Sequence, residues 1–289
     1  MTPDEHIRAH EGVGRRVSVE GVETFVRAEG EGEPALLLHG VPVSSFLWRK
    51  VLPELAGRGL QGIAFDLPGL GLADRPERFD YTWTGLGAYA IGLIEVLDLR
   101  RVHLVVHDIG GPVGFEVAAA RPDRIASMTI LNTVVEVAGF RQPPVMRPFA
   151  LPGVGSIYLS AMLVPLFVQL MYLQGVSSRD ACSPEELRAH HALLFRGDGG
   201  RAFLRIMRGF EPTEAKQARY VAAVRDAPYP VQALWGAKDP ALRIDVHGEV
   251  VRRMLAPERF AQVPAKHFLQ ETHASEIAER VARLARGEG

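Results

Sequence analysis

The chain has 289 residues, 47% hydrophobic and 23% charged, the proportions of an ordinary globular protein, which excludes disorder and a fibrous repeat. With 33 Lys and Arg against 34 Asp and Glu the net charge is −1, so nothing draws the chain to nucleic acid, and a small neutral substrate is expected. The single cysteine, Cys182, can neither close an internal disulfide nor build a thiolate metal site. Residues 1–14 are polar and mixed in charge, unlike a signal peptide, and a cytoplasmic location is expected.

Residues 14–30 alternate in the manner of strands, with Glu20-Gly21 as a turn between them, which predicts an opening hairpin. Short apolar runs follow at Ala35 to Leu38, Gly62 to Phe65, Val102 to Val106, Ser127 to Leu131 and Val231 to Trp235. Runs of that length without alternation suit strands covered on both faces of a parallel sheet. Tyr81 to Leu97 and Gly111 to Ala120 have helical spacing, so the order is βαβα. The rhythm stops after Asn132 and resumes at Val231. Between them lie apparently helical residues, including a helix start with Ser183 as N-cap, and this predicts a helical insertion over 135–225 in a core formed by 1–134 and 226–289.

Phe149 to Ser178 carries no charge and is long enough to cross a bilayer, which needs about 20 apolar residues. Pro152, Gly153, Gly155, Ser160, Pro165 and Gln169 interrupt it, so it is expected to form a buried or chamber-lining lid rather than a stable membrane span.

The segment Leu104 to Gly114 runs a buried strand into a tight turn at His107-Asp108-Ile109-Gly110-Gly111. Glycines there permit close packing of strand on helix, leaving the Asp108 side chain exposed at the strand's carboxyl end as a nucleophile. The alternative is that Asp108 caps the helix. The loop His39-Gly40-Val41-Pro42 also ends a strand, and the Val41 and Ile109 amides can together form an oxyanion hole. Asp239 follows the strand ending at Trp235, and His267 follows the apolar run Phe260 to Val263. Nucleophile, acid and histidine thus stand in the chain order of α/β-hydrolases.

These motifs, with Asp66-Leu67-Pro68-Gly69-Leu70-Gly71 and Ala73-Asp74-Arg75-Pro76, resemble over nearly the whole chain the α/β-hydrolase fold, a mostly parallel sheet flanked by helices with a helical cap. Within that fold the resemblance is to the aspartate-nucleophile branch of haloalkane dehalogenases and epoxide hydrolases. It implies attack by Asp108 on saturated carbon, an alkyl ester, and hydrolysis of that ester by water activated by His267, itself oriented by Asp239. No cofactor and no metal is required. His39, Gly40 and Pro42 are expected to support the oxyanion loop. Some relatives place the acid where Asn132 stands, with Glu136 just beyond, but Asp239 is preferred here. Lys266 departs from the glycine relatives usually place before the histidine; it is either exposed or close enough to lower the imidazole pKa.

The same resemblance bears on the leaving group. Haloalkane dehalogenases hold the halide with a tryptophan after the nucleophile, plus a lid tryptophan or an oxyanion-loop asparagine. Here those two first positions are Ile109 and Val41, and Trp48, Trp83 and Trp235 all lie outside the lid. Epoxide hydrolases instead protonate an alkoxide from lid tyrosines, for which Tyr158 and Tyr220 are the candidates. Epoxide hydrolysis of a small lipophilic substrate with water is therefore the first expectation. Haloalkane dehalogenation is the alternative, and a non-catalytic ligand-binding member of the fold is third. Either a monomer or a homodimer is expected.

Overall fold

The computed structural model describes residues 1–288. A helix precedes the expected hairpin: α1 (Pro3–Glu11) starts from a Thr2 cap that accepts from the Glu5 amide. In the hairpin, β1 (Arg15–Val19) and β2 (Val22–Glu29) pair antiparallel. Glu20 and Gly21 both take positive φ, 50° and 83°, as a two-residue turn of the right twist demands. Six strands follow: β3 (Glu33–Leu38), β4 (Leu60–Phe65), β5 (Val102–His107), β6 (Ile125–Leu131), β7 (Val231–Gly236) and β8 (Phe260–Val263). They form one sheet in the order β1-β2-β4-β3-β5-β6-β7-β8, parallel from β4 through to β8.

The uninterrupted apolar runs are explained by cover on both faces. Along β3, Leu36 and Leu38 enter one core with α3 (Trp83–Val96) and α4 (Gly110–Ala120). Ala35 and Leu37 enter another with α2 (Val51–Ala56) and α12 (Ala274–Ala285). A further helix, α11 (Glu249–Met254), lies between β7 and β8.

No strand forms between β6 and β7. The chain there runs through α5 (Arg147–Ala150), α6 (Val154–Ser160), α7 (Val164–Leu170), a π-helical turn (Met171–Gly175), α8 (Pro184–Phe195), α9 (Arg201–Arg208) and α10 (Glu214–Arg225). Ser183 caps α8 in a reciprocal box with Glu186. Among the described residues no single helix is long and apolar enough to cross a membrane, and α6 meets the α7 segment at a bend of 98°. The uncharged stretch lines the chamber as expected, but only one side of it is buried. Phe167 and Met171 point inward, whereas Ile157, Leu163, Leu166 and Leu173 are exposed.

Candidate active site

The carboxyl ends of β3, β5, β7 and β8 converge on one spot, where loops leave the sheet. Asp108 sits on the turn between β5 and α4 with φ 53°, a left-handed conformation that thrusts its side chain away from the sheet. Its amide donates to the Asn132 carbonyl at 3.0 Å, and its carbonyl accepts from the Thr133 hydroxyl at 2.6 Å, so the strained turn is braced from β6. Gly110 has the Leu38 carbonyl 2.5 Å from where a Cβ would stand, which lets α4 start directly against β3.

The loop after β3 is fitted to that carboxylate. The Val41 amide donates to Asp108 Oδ1 at 2.8 Å, and the neighbouring Ile109 amide also favours the charged carboxylate. A Cβ on Gly40 would lie 2.1 Å from Oδ1, so only glycine allows the approach. His39 is buried and neutral, bonded to the Gly40 carbonyl at 2.9 Å while its Nε2 accepts from the Leu67 amide at 3.0 Å. It thereby holds the loop, and Pro42 lines the chamber beside it.

Asp108 Oδ2 stands 3.4 Å from His267 Nε2, and His267 Nδ1 bonds Asp239 Oδ2 at 2.7 Å. The same Asp239 oxygen accepts from Asn132 Nδ2 at 2.7 Å, while Oδ1 accepts from the Ala241 and Leu242 amides. Asn132 Oδ1 in turn accepts from the Gly236 amide. Burial opposes charge on all three groups, but their mutual attraction wins. It pushes the His267 imidazole up to about 10, holds Asp239 at about 2 and keeps Asp108 below its ordinary value. His107, pushed down to about 3 by burial and by neighbouring His267, stays neutral and meets the His267 carbonyl at 2.9 Å, fixing the loop's height.

Over the carboxylate lies a chamber of about 120 Å³ whose wall is almost wholly apolar, with Phe149, Phe167, Phe203 and Phe210 prominent in it. The polar side chains on the wall, apart from Asp108 and His267, are Trp83, Gln142 and Gln174. Gln142 donates to the Met207 carbonyl, whereas the buried Trp83 indole nitrogen has no partner.

Asp108, Asp239, His267, Val41 and Ile109 are therefore brought together, and the lid tyrosines are not. Tyr220 is fully buried in the core, and its hydroxyl donates to Glu116 Oε1 at 2.7 Å; burial and that carboxylate push its pKa far up. It cannot serve as the expected acid. Tyr158 is absent from the chamber wall and packs on Phe149 with ring centroids 4.7 Å apart. Glu136 is exposed and forms no ion pair with His267, whose partners are Asp108 and Asp239. Lys266 donates to the Tyr172 carbonyl at 2.6 Å, so it ties the histidine loop to the lid instead of acting on the imidazole. Two further residues of the site carry a signal in the sequence. Asn132 follows β6 directly, beside the strand that leads to Asp239, and Trp83 opens α3 on the chamber wall.

The family model described as the alpha/beta hydrolase family matches residues 35–280. A haloalkane dehalogenase of Mycobacterium tuberculosis is 31% identical over 266 residues, 86% of this chain and 82% of that one. Among solved structures, Cfl2 from Burkholderia cenocepacia superposes with a TM-score of 0.78 at 22% identity, covering 93% of this chain and 94% of that one. The epoxide hydrolase CorEH gives 0.76 at 20% identity over 95% and 98%. At these identities the two structures speak for the fold alone.

Proposed function

Because the chain belongs to the alpha/beta hydrolase family and is a hydrolytic enzyme, we propose that it opens small lipophilic epoxides to vicinal diols, with Asp108 as nucleophile. The observation that carries this reading is the pairing of a cradled carboxylate with an imidazole on the floor of an apolar chamber.

Oδ1 is held by the Val41 amide, which leaves Oδ2 free to attack. Oδ2 bonds the epoxide carbon, the C–O bond of the ring breaks, and an alkoxide appears on the adjacent carbon. It is born beside the carboxylate that His267 Nε2 already faces, so the imidazolium supplies the proton and becomes neutral. The ester no longer carries the Asp108 charge that favoured the imidazolium. The neutral ring, oriented through Nδ1 by Asp239, is then a competent base. It takes a proton from water as the water oxygen bonds Asp108 Cγ, and Oδ1 becomes an oxyanion already seated between the Val41 and Ile109 amides. Collapse breaks the bond to the alkyl oxygen. The proton on the new carboxyl passes to the leaving alkoxide, which restores carboxylate and imidazolium. One epoxide and one water give one diol, and no lid tyrosine is needed.

Haloalkane dehalogenation is the second reading, favoured by the name of the 31% identical mycobacterial relative and by the unpartnered Trp83 indole nitrogen as a halide donor. In that case the departing halide consumes no proton, so the imidazolium must lose its own before water can attack.

The test incubates His267→Gln and the wild type with a terminal alkyl epoxide and reads intact mass. The substituted enzyme is expected to gain the mass of one epoxide, at Asp108 by peptide mapping. Tyr158→Phe/Tyr220→Phe should turn over within about threefold of wild type. Turnover by the wild type without adduct on any variant would overturn the covalent route. Halide release from 1-bromoalkanes faster than epoxide opening would move the enzyme to the second reading.

A further inference from the structure

A helix on a protein surface ordinarily turns polar residues outward. The lid helices do not. On the inner side of α7 and the π-helical turn, Phe167, Leu170 and Met171 line the chamber. On the outer side of the same segment and of α6, Ile157, Leu163, Leu166 and Leu173 lie between 41% and 74% exposed, with Leu151 and Val154 beside them. Between Pro148 and Ser178 the chain has no charged residue, so the outward face offers only aliphatic groups, Pro, Ser, Ala and Gln.

The edge of this face is cationic on balance, with three arginines against the one exposed carboxylate of Asp180. Arg147 and Arg179 flank the stretch, and Arg208 reaches the Leu151 carbonyl at 3.4 Å. All three are exposed, and none has a carboxylate within 4.0 Å among the described residues. Arg179 lies over the Tyr172 ring, 4.6 Å from its centroid, at the foot of the turn. Over residues 135–225 there are eleven Lys or Arg and seven Asp or Glu, an excess of four positive charges in a chain whose total is −1. The rest of the chain is correspondingly acidic.

We propose that the outer face of α6 and α7 docks on an anionic lipid surface, lying in its headgroup region without spanning it. An apolar face ringed by unpaired arginines is what such a surface accepts, since the side chains enter the acyl boundary and the guanidinium groups meet phosphates. A two-fold contact with a second copy fits less well, because it would bring one arginine rim against another. Docking also sets the thin lid between bilayer and chamber, where a lipophilic substrate is most concentrated. The proposal does not depend on the nucleophile or the leaving group.

The experiment sediments the full chain with vesicles of phosphatidylcholine alone or with 30% phosphatidylglycerol, alongside light scattering without lipid. The wild type is expected to bind the anionic vesicles at least about tenfold better than the neutral ones, and less as salt is raised. Ile157→Glu/Leu163→Glu/Leu166→Glu should lose this binding while keeping its thermal melt and its turnover of a soluble substrate. Arg147→Gln/Arg179→Gln/Arg208→Gln should lose only the preference for anionic lipid. Val96→Glu, at an exposed apolar residue outside the lid, should change nothing. A wild type that stays in the supernatant with both vesicles would overturn the proposal. So would a lipid-free dimer that the three glutamates dissociate, which would assign the face to a second copy.

Discussion

Replacing Asp239 by asparagine tests the proton logic of the site most directly. Asp239 accepts four hydrogen bonds: Oδ1 from the Ala241 and Leu242 amides, Oδ2 from Asn132 Nδ2 and from His267 Nδ1. The amide oxygen of Asp239→Asn keeps the two backbone donors, which leaves its NH2 facing two groups that were donors themselves. Two charge-assisted bonds are lost, each worth roughly 1.5–3 kcal/mol. To accept from the new NH2, the imidazole moves its remaining proton to Nε2, where it has no lone pair left for water. An aspartate-to-asparagine change beneath a catalytic histidine costs about 10⁴-fold in kcat, equivalent to about 5 kcal/mol of transition-state stabilisation. Diol formation under saturating epoxide should fall by that order, with alkylated enzyme visible by intact mass at steady state. A kcat within tenfold of wild type, with the melt unchanged, would refute the orienting role given to Asp239.

Two further outcomes are expected. His267 is pushed up to about 10 in the folded chain against about 6.5 unfolded, so its stabilising contribution is complete below about pH 6.5. It then falls by about 1.4 kcal/mol per pH unit and is gone above about pH 10. The melting-temperature gap between wild type and His267→Gln should accordingly narrow from pH 7 to pH 10.5, and a constant gap would deny the imidazolium. Gly40→Ala places a methyl 2.1 Å from Asp108 Oδ1 and should cut kcat at least about 100-fold as the carboxylate is driven from its cradle. Activity within threefold of wild type would mean that the loop is not fitted to Asp108 as described.

What was legible in the sequence was what local pattern determines. Strands covered on both faces leave unbroken apolar runs, and the runs ending at Leu38, Val106 and Trp235 were placed within a residue or two. The turn at Asp108 was readable because its glycines have no other use there. The lid was harder, since helix phase decides which side chains face inward, and phase depends on bends and on the π-helical turn at Met171–Gly175. Tyr220 was misplaced for that reason: its partner, Glu116, is over a hundred residues away in sequence. Helix α1 was missed because its apolar content is slight. Ile7 joins Phe25, Phe46 and Leu193 in a small cluster, so contact with α8 across the molecule is part of what holds the helix.

The loop after β8 does more than carry His267. Arg49 bonds Glu271 at 2.7 Å and Glu186 at 2.6 Å, and Lys50 bonds Glu271 at 2.8 Å. Glu271 is buried four residues past His267, while Glu186 lies on α8, in the helical segment between β6 and β7. Removing one member of such a knot strands its partners without counter-charge, at a cost of about 3–5 kcal/mol. Grafting a foreign cap onto this scaffold to redirect its chemistry would therefore have to import a carboxylate at the place of Glu186. Without it, the graft would unsettle the very loop on which turnover relies.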